Sequence, residues 1–513
     1  MSAWRPWGPE AFAEAKRSGR PLLAARGSAP PRELAGEAEA GRFIAVLADP
    51  EARPDAAERV GAGQALVLSP DGERRGVLPL SGVDLAAGLS RLAGEAGAPE
   101  RPTPAPAAPV WTGAVTEAAP PRSAGDLLTD YLAGRPDAGA EPEHLAALLA
   151  HAAEGASVSA LGRALDDLLA SPAWDARLGR FRVEGESPLL ANASRGRLLW
   201  EAHGLTGEPR LRAAAEASAA FLLRELYDPA VGAFRRAPGA GAVYPAEGNA
   251  RAAYALIKAD AFGVAGAGEA AAKALTFLRT RLYDPLLGLV HGAGGGEEAV
   301  HGLLGDAAWT ALAFTEAFLA TGLKAHREFA DATVRFLFQE LWERERGGFL
   351  DRVARPDDPP VLREAHLPPE ANAVALETCW RLQHLKGVAN YGRWLTWGLA
   401  GVWPAAAPAR RAGLARVSAL AARGRADFEL VGRAGEPAAV AILAALNRLH
   451  LPRKVVSFVD PDDQDYLLAH KLHADSFPRL FGCAPDLRKV ADAGGPEGVP
   501  AVVAAVLAAG RPG

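Results

Sequence analysis

Two glutamates and two histidines in the middle of the chain, Glu247, His301, His366 and Glu370, are of the types that could do acid–base chemistry. Glu247 and Glu370 would form the carboxylate pair of glycoside hydrolysis, one protonated as general acid and one ionised as base or nucleophile. Histidine as a residue type can give and take a proton near neutral pH, which would suit His301 and His366 to proton transfer on opposite faces of a carbon beside a carbonyl, as sugar epimerisation requires. Around them stand side chains that bind hydroxyls, carboxylates or sugar rings: Arg235, Tyr244, Asn249, His291, Asp306, Asp351 and Asn372, with Glu186, Arg236 and Arg352 close by in sequence. Several have a structural reading too. Asn192, Asn249, Asp306 and Asn372 are residues that cap helices, and Glu247 and Glu370 are acids that a helix dipole favours in its first turn. No metal is expected, because Asp460–Asp465 has the acids of a calcium loop without its glycine and closing glutamate. No cofactor is expected either, since Gly266–Ala271 follows a helical pattern rather than a strand.

A repeat positions these residues. Asn192, Asn249, Asp306 and Asn372 follow one another at intervals of 57, 57 and 66 residues, and Leu-Tyr-Asp-Pro recurs at Leu226 and Leu282. A period of this size means stacked units that cannot bury their apolar faces alone. Each unit reads as two helices. The first opens at the Asn or Asp, carries apolar residues at helical spacing (Ala308, Leu312, Thr315 and Leu319 in the third copy), and stops at Gly207, Gly322 or Gly387. The second runs into Pro229 or Pro285, which cannot continue it. A weaker pair, Glu143–Ala153 and Ser159–Leu169, precedes them, and Tyr391–Arg423 is expected to supply a sixth. The spacing predicts an (α/α)6 toroid over residues 123–424, first helices inside, with the loops before them at a shared mouth. Gly292–Glu298 reads as a flexible loop at that mouth.

The flanks differ. Residues 1–97 read as an α/β unit with a helix over Trp4–Ser18, strands at Pro21–Ala25, Phe43–Leu47 and Ala65–Leu68, a turn at Ser69–Gly72 and a last helix over Val83–Leu92. The element order fits a thioredoxin-like fold. Residues 98–122 are a Pro/Ala-rich linker. Residues 425–513 form a small α/β segment, with strands at Phe428–Val431 and Lys454–Val459 around a helix over Pro437–Leu449. The fold class expected is multidomain and mainly α. Hydrophobic residues make up 49% of the 513, enough for such cores, and a net charge of -5 offers no basic face for nucleic acid. Two cysteines exclude a disulfide framework, and Cys379, inside an apolar helical run, reads as a core thiol. With no apolar leader and no membrane-length run, the expectation is a cytoplasmic protein without membrane partners.

Trp4, Trp7, Ala11-Phe12, Ala15-Lys16 and Gly19–Leu23, followed by Asp49–Asp55 and Leu68–Gly72, resemble the opening of the YyaL-type proteins, relatives of the spermatogenesis-associated thioredoxin-domain proteins. The resemblance covers essentially the whole chain. It implies a thioredoxin-like domain joined to a toroid similar to that of N-acylglucosamine 2-epimerases and six-hairpin glycosidases. The departures from that family weigh more. Where it has a redox Cys-x-x-Cys after Gly27, this chain has Ser28–Leu34, and without a thiolate there is no nucleophile for disulfide exchange. Its mouth motifs are reduced to Glu186–Leu190 and Ala246–Asn249. The reading is a pseudoenzyme: a binding or scaffolding protein with no thiol redox activity, whose toroid cavity accepts a sugar or similar small molecule. Its thioredoxin-like domain would be free to meet a protein partner. The alternative is a carbohydrate-active epimerase, isomerase or hydrolase working at the toroid mouth.

Overall fold

A computed structural model of the chain describes residues 4–34, 36, 41–50, 52–94, 124–134, 141–183, 188–239, 241–294, 300–474 and 476–510. The linker over residues 98–122, Glu186, and residues 295–298 of the expected mouth loop lie outside the described residues.

Six inner helices, Pro142–Ala153, Pro188–Thr206, Ala246–Ala261, Leu304–Thr321, Pro369–Lys386 and Ala412–Arg423, pack side by side in that order, and the last returns to the first. The ring therefore closes. Small residues let the helices approach: Ala250, Ala253, Ala308, Ala311 and Ala375 are completely buried, and a Cβ on Gly413 would stand 2.8 Å from the Cβ of Ala373 on the neighbouring helix. Outer helices follow the first five, at Ser159–Ala170, Pro209–Phe221, Ala267–Phe277, Lys324–Glu340 and Ala389–Ala405. The sixth hairpin differs from expectation. Tyr391–Arg423 supplies only its inner helix, because Ala389–Ala405 belongs to the fifth pair. The outer partner of Ala412–Arg423 is Ala124–Ala133, from the other end of the ring. Leu128 and Tyr131 seal that seam against Ala412, Ala415 and Ala419.

The repeated asparagines are not caps. The helices start earlier, at Pro188, Ala246 and Pro369, and the N-cap positions of the third and fifth inner helices (Pro245 and Pro368) make no side-chain bond. Asn249 instead reaches back to the preceding turn. Its Oδ1 accepts from Phe234 N–H at 2.7 Å, and its Nδ2 donates to Phe234 O (3.0 Å) and Pro245 O (2.9 Å). Asn192 grips Phe181 in the same way, and Asn372 grips Phe349. Each amide thus satisfies the buried backbone of the loop that enters its helix. Asp306, which cannot donate, breaks the pattern.

The amino-terminal unit is a five-stranded sheet in the order Trp4–Pro6, Ile44–Ala48, Leu22–Arg26, Gln64–Leu68, Arg74–Pro79, the first three strands parallel and the last two antiparallel. Trp4–Pro6 is a strand and the helix covers only Pro9–Ser18, because Pro9 starts a helix readily but Pro6 cannot sit within one. The unit is docked by its helix Pro54–Val60. Arg59 pairs with Asp351 (3.0 Å) and donates to Val361 O and Glu364 O. Asp55 takes Arg352 at 3.1 Å, and Glu58 takes Arg410 at 3.2 Å and His366 at 3.4 Å. A loop of the ring answers by inserting Val361 and Leu362 into the unit's own apolar core.

At the opposite end, Ala426–Val431 and Lys454–Val459 form a parallel pair around the helix Pro437–Arg448. Two antiparallel strands, Arg479–Cys483 and Lys489–Ala493, extend the sheet. This segment lies on the ends of the inner helices: Gly204 abuts Arg448 O, Gly322 abuts the Phe458 ring, and Asn447 donates to Leu319 O at 3.3 Å. No helix among the described residues is long and apolar enough to cross a membrane.

Two outcomes follow. Asn249→Ala removes three buried hydrogen bonds and orphans a backbone pair, so denaturant unfolding should show a loss of about 3 kcal/mol. Acid should loosen the amino-terminal unit. Burial raises the Glu58 carboxyl, but the His366 hydrogen bond and the charges of Arg410, His366 and Arg26 outweigh it and hold it at about 2, against an ordinary 4.5. A lowered folded value stabilises docking above pH 4.5, and that contribution is lost as pH falls from there towards 2. Limited proteolysis should release the unit over that window in the native protein, and Glu58→Gln should weaken that pH dependence, the Asp55–Arg352 pair keeping a remainder.

Candidate functional site

The inner helices begin at the ring mouth, and the sequence-predicted residues stand there in three separate groups. In the first, Glu247 pairs with Arg251 one turn along the same helix (2.9 Å). Arg251 reaches Ser194 on the preceding inner helix (2.9 Å) and lies 4.0 Å over the Trp309 ring on the next. Beside them Asp306, buried to 1% exposure, holds His291 Nδ1 at 2.9 Å and accepts the Glu247 N–H at 3.1 Å. Burial pushes the Asp306 carboxyl up against the pull of His291. A carboxylate that fixes an imbedded imidazole beside a second carboxylate is an arrangement that can move protons.

Next to this group, Tyr244 donates to Asp228 at 2.8 Å and Arg235 ion-pairs with the same carboxylate. The Tyr244 hydrogen bond, with Arg235, lowers the Asp228 carboxyl. In the last group, Glu370 is clamped by Arg410, which also holds Glu58, and Glu58 in turn meets His366. His366, Glu370 and Asp351 therefore serve the docking of the amino-terminal unit. Asp351 is a partner of Arg59, with its carboxyl raised by burial.

The proposed catalytic quartet is thus not one site. Glu247 and Glu370 start helices that have Leu304–Thr321 between them, so the carboxylate pair is divided around the rim. His301 bridges Val290 on the backbone and has Asp284 and Arg355 as its charged neighbours, apart from His366; burial, then Arg355, lowers its imidazole and keeps it neutral. A repeat spaces equivalent residues around a ring; it does not gather them. Asn249 and Asn372, both 0% exposed with their amides given to backbone, are no longer ligand-binding candidates.

Sequence reasoning missed the lumen. Halfway down the ring, Arg197 pairs with Glu201 (2.8 Å), Lys258 and Arg381 share Glu316 (3.2 Å each), and Arg381 and Arg416 share Glu377. Tyr254 donates to Glu201 at 3.3 Å. Cationic neighbours hold Glu316 and Glu377 down at about 2 in spite of the larger opposing effect of burial. The signal was present as charges four apart, Arg197/Glu201 and Glu377/Arg381, within otherwise apolar helices. The space left on the axis is about 30 Å³, closed below by His450 and Lys454. That is far below the roughly 300–1,000 Å³ of ordinary ligand sites, so this part of the axis has no room for a sugar.

Room exists at the rim. A cavity of about 360 Å³ lies between the amino-terminal unit and the docking loop of the ring. Trp7 and Phe12, edge to face at 5.2 Å, form part of one wall, and Arg352, Arg355, Asp357 and Asp358 part of the other. Lys16 and Arg363 stand at its exposed margin.

No family model matches the sequence, and no curated protein shows a significant match. Solved structures do. A family 76 glycoside hydrolase (mannosidase) from Bacteroides thetaiotaomicron VPI-5482 is 14% identical with a TM-score of 0.36, over 44% of this chain and 62% of its own length. An inactive α-1,6-mannanase variant of Salegentibacter sp. HEL1_6, solved with α-1,6-mannotriose, is 12% identical with a TM-score of 0.46, over 58% of this chain and 99% of its own. A sugar epimerase from a ruminal bacterium is 12% identical with a TM-score of 0.37, over 45% and 70%. This chain spans less than two thirds of the first of these. At such identities and scores none of them lends it a fold or an activity; the ring rests on its own helix packing.

Proposed function

We propose that the chain is a carbohydrate-binding protein with no thiol redox activity, its ligand held in the rim cavity where a thioredoxin-like unit (residues 1–97) meets the helical toroid (residues 123–424), with residues 425–513 as a floor. The observation that carries this reading is the composition of that cavity. Aromatic faces accept the apolar face of a sugar ring, while guanidinium and carboxylate groups beside them match its hydroxyls. The strand order of the amino-terminal sheet supports the thioredoxin-like assignment. Its lack of redox function rests on cysteine placement: both thiols, Cys379 and Cys483, are buried elsewhere in the chain, and burial pushes Cys483 up to about 12.

A thermal-shift screen of neutral and acidic mono- and oligosaccharides tests this, because a ligand that binds only the folded state raises its midpoint. A hit should lose its shift in Lys16→Glu/Arg363→Glu, which alters only the exposed margin of the cavity. A hit that survives this change, or a screen without hits, would sink the proposal.

One observation favours the enzyme reading. Asp306 gives up the backbone clamp made by the other three repeats and spends its carboxylate on His291 beside Glu247. Residues that break a structural rule of their own fold mark functional sites. Asp306→Asn restores the residue type of the other copies, so the unfolding midpoint should hold or rise. Turnover of any sugar by the native protein should fall by at least about 100-fold in that variant, the usual worth of a positioned acid–base group. Unchanged turnover removes the pair from the chemistry.

A further inference from the structure

The axial cavity of the ring carries charge that its lining, among the described residues, does not balance. Its wall holds five cationic side chains, Arg197, Lys258, Arg381, Arg416 and Lys454, against three carboxylates, Glu201, Glu316 and Glu377. The carboxylates cannot supply more charge, since Glu201 is also held below its ordinary value and all three are ionised. Burial, then the nearby Lys258, drives Lys454 well below the usual lysine range, and burial takes His450 down to about 4. Even with Lys454 left out of the count, four cations face three carboxylates among largely buried side chains, where an uncompensated ion is expensive. The wall also contains two buried nitrogens, Arg416 Nε and His450 Nε2, with no hydrogen-bond partner among the described residues. The space of about 30 Å³ exceeds what one water needs but excludes an organic molecule.

We infer that the lumen is a binding site for one small inorganic monoanion of halide size, held on the floor side among Arg197, Arg416, His450 and Lys454. The ion would neutralise the surplus cation and give the five charged helices a common counter-charge on the axis. This site is separate from the rim cavity and does not depend on how that cavity is used.

The probe is bromide. The full-length protein, dialysed into sodium gluconate, is titrated with sodium bromide at fixed ionic strength while its unfolding midpoint is followed. Gluconate is too large for the lumen, so the expected result is a saturable rise in midpoint with bromide. A crystal grown from bromide should show an anomalous peak on the ring axis beside Arg416 and His450. Arg416→Gln removes the surplus charge and leaves Glu377 paired with Arg381, so it should abolish the halide dependence. If that variant does not fold, the crystal of the native protein decides alone. A midpoint that does not move with bromide at fixed ionic strength, or an axis occupied by water without anomalous signal, overturns the assignment.

Discussion

Six helices set side by side in a ring leave an axial hole about as wide as one helix, roughly 10 Å, and the fold depends on how that hole is filled. Alanines at the helix contacts draw the ring tight but cannot reach the axis. Long side chains can, and this chain uses arginine, lysine, glutamate and tyrosine. Once there they must pair, because water is scarce and an unmatched charge is costly. The pairings run from helix to helix. Glu201 joins Arg197 to Tyr254, Glu316 joins Lys258 to Arg381, and Glu377 joins Arg381 to Arg416. Each glutamate ties neighbouring inner helices at one height. Such a network contributes little net stability compared with an apolar filling, but it fixes register, which Leu–Ala contacts between similar helices fix poorly.

A polar axis must also be shut at both ends. The carboxy-terminal sheet does this below, with His450 and Lys454 in the wall and Arg453 anchored on Glu154 at 2.6 Å. At the mouth the amino-terminal unit sits over part of the rim on Asp55, Glu58 and Arg59. Mouth residues that a toroid could present to a ligand are thereby drawn into holding another part of the chain. His366 and Glu370 are the plainest cases.

Much of the ring was legible, since the 57-residue interval and the Tyr-Asp-Pro stops mark the hairpins directly. The role of the asparagines was not. A residue that caps its own helix and one that clamps the preceding loop differ by about one turn of position, which is within the error of reading a helix start from sequence. The lumen was hidden for a related reason. Inner helices are buried on nearly every side, so the contrast of faces that would single out Arg197 or Arg381 is absent. Ring closure by Ala124–Ala133 was invisible because neither that helix nor Ala412–Arg423 carries the repeat. His301 and His366 were chosen by residue type, and type does not say which way a loop turns.

The docking geometry bears on what the amino-terminal unit can do. A thiol-exchanging domain must offer its active face to partners and come away again. Here the helix Pro54–Val60 lies against the ring with Asp55 and Arg59 almost fully buried in ion pairs. Val361 and Leu362, 0% and 2% exposed, complete the unit's core from outside. Swinging the unit open would break the ion pairs of Asp55 and Arg59 with the ring and bare the apolar wedge and its socket. A face committed to permanent packing has no use for an exchangeable thiol, and the docked helix carries none. The cavity left beside the wedge, lined by both parts of the chain, depends on that same packing for its shape.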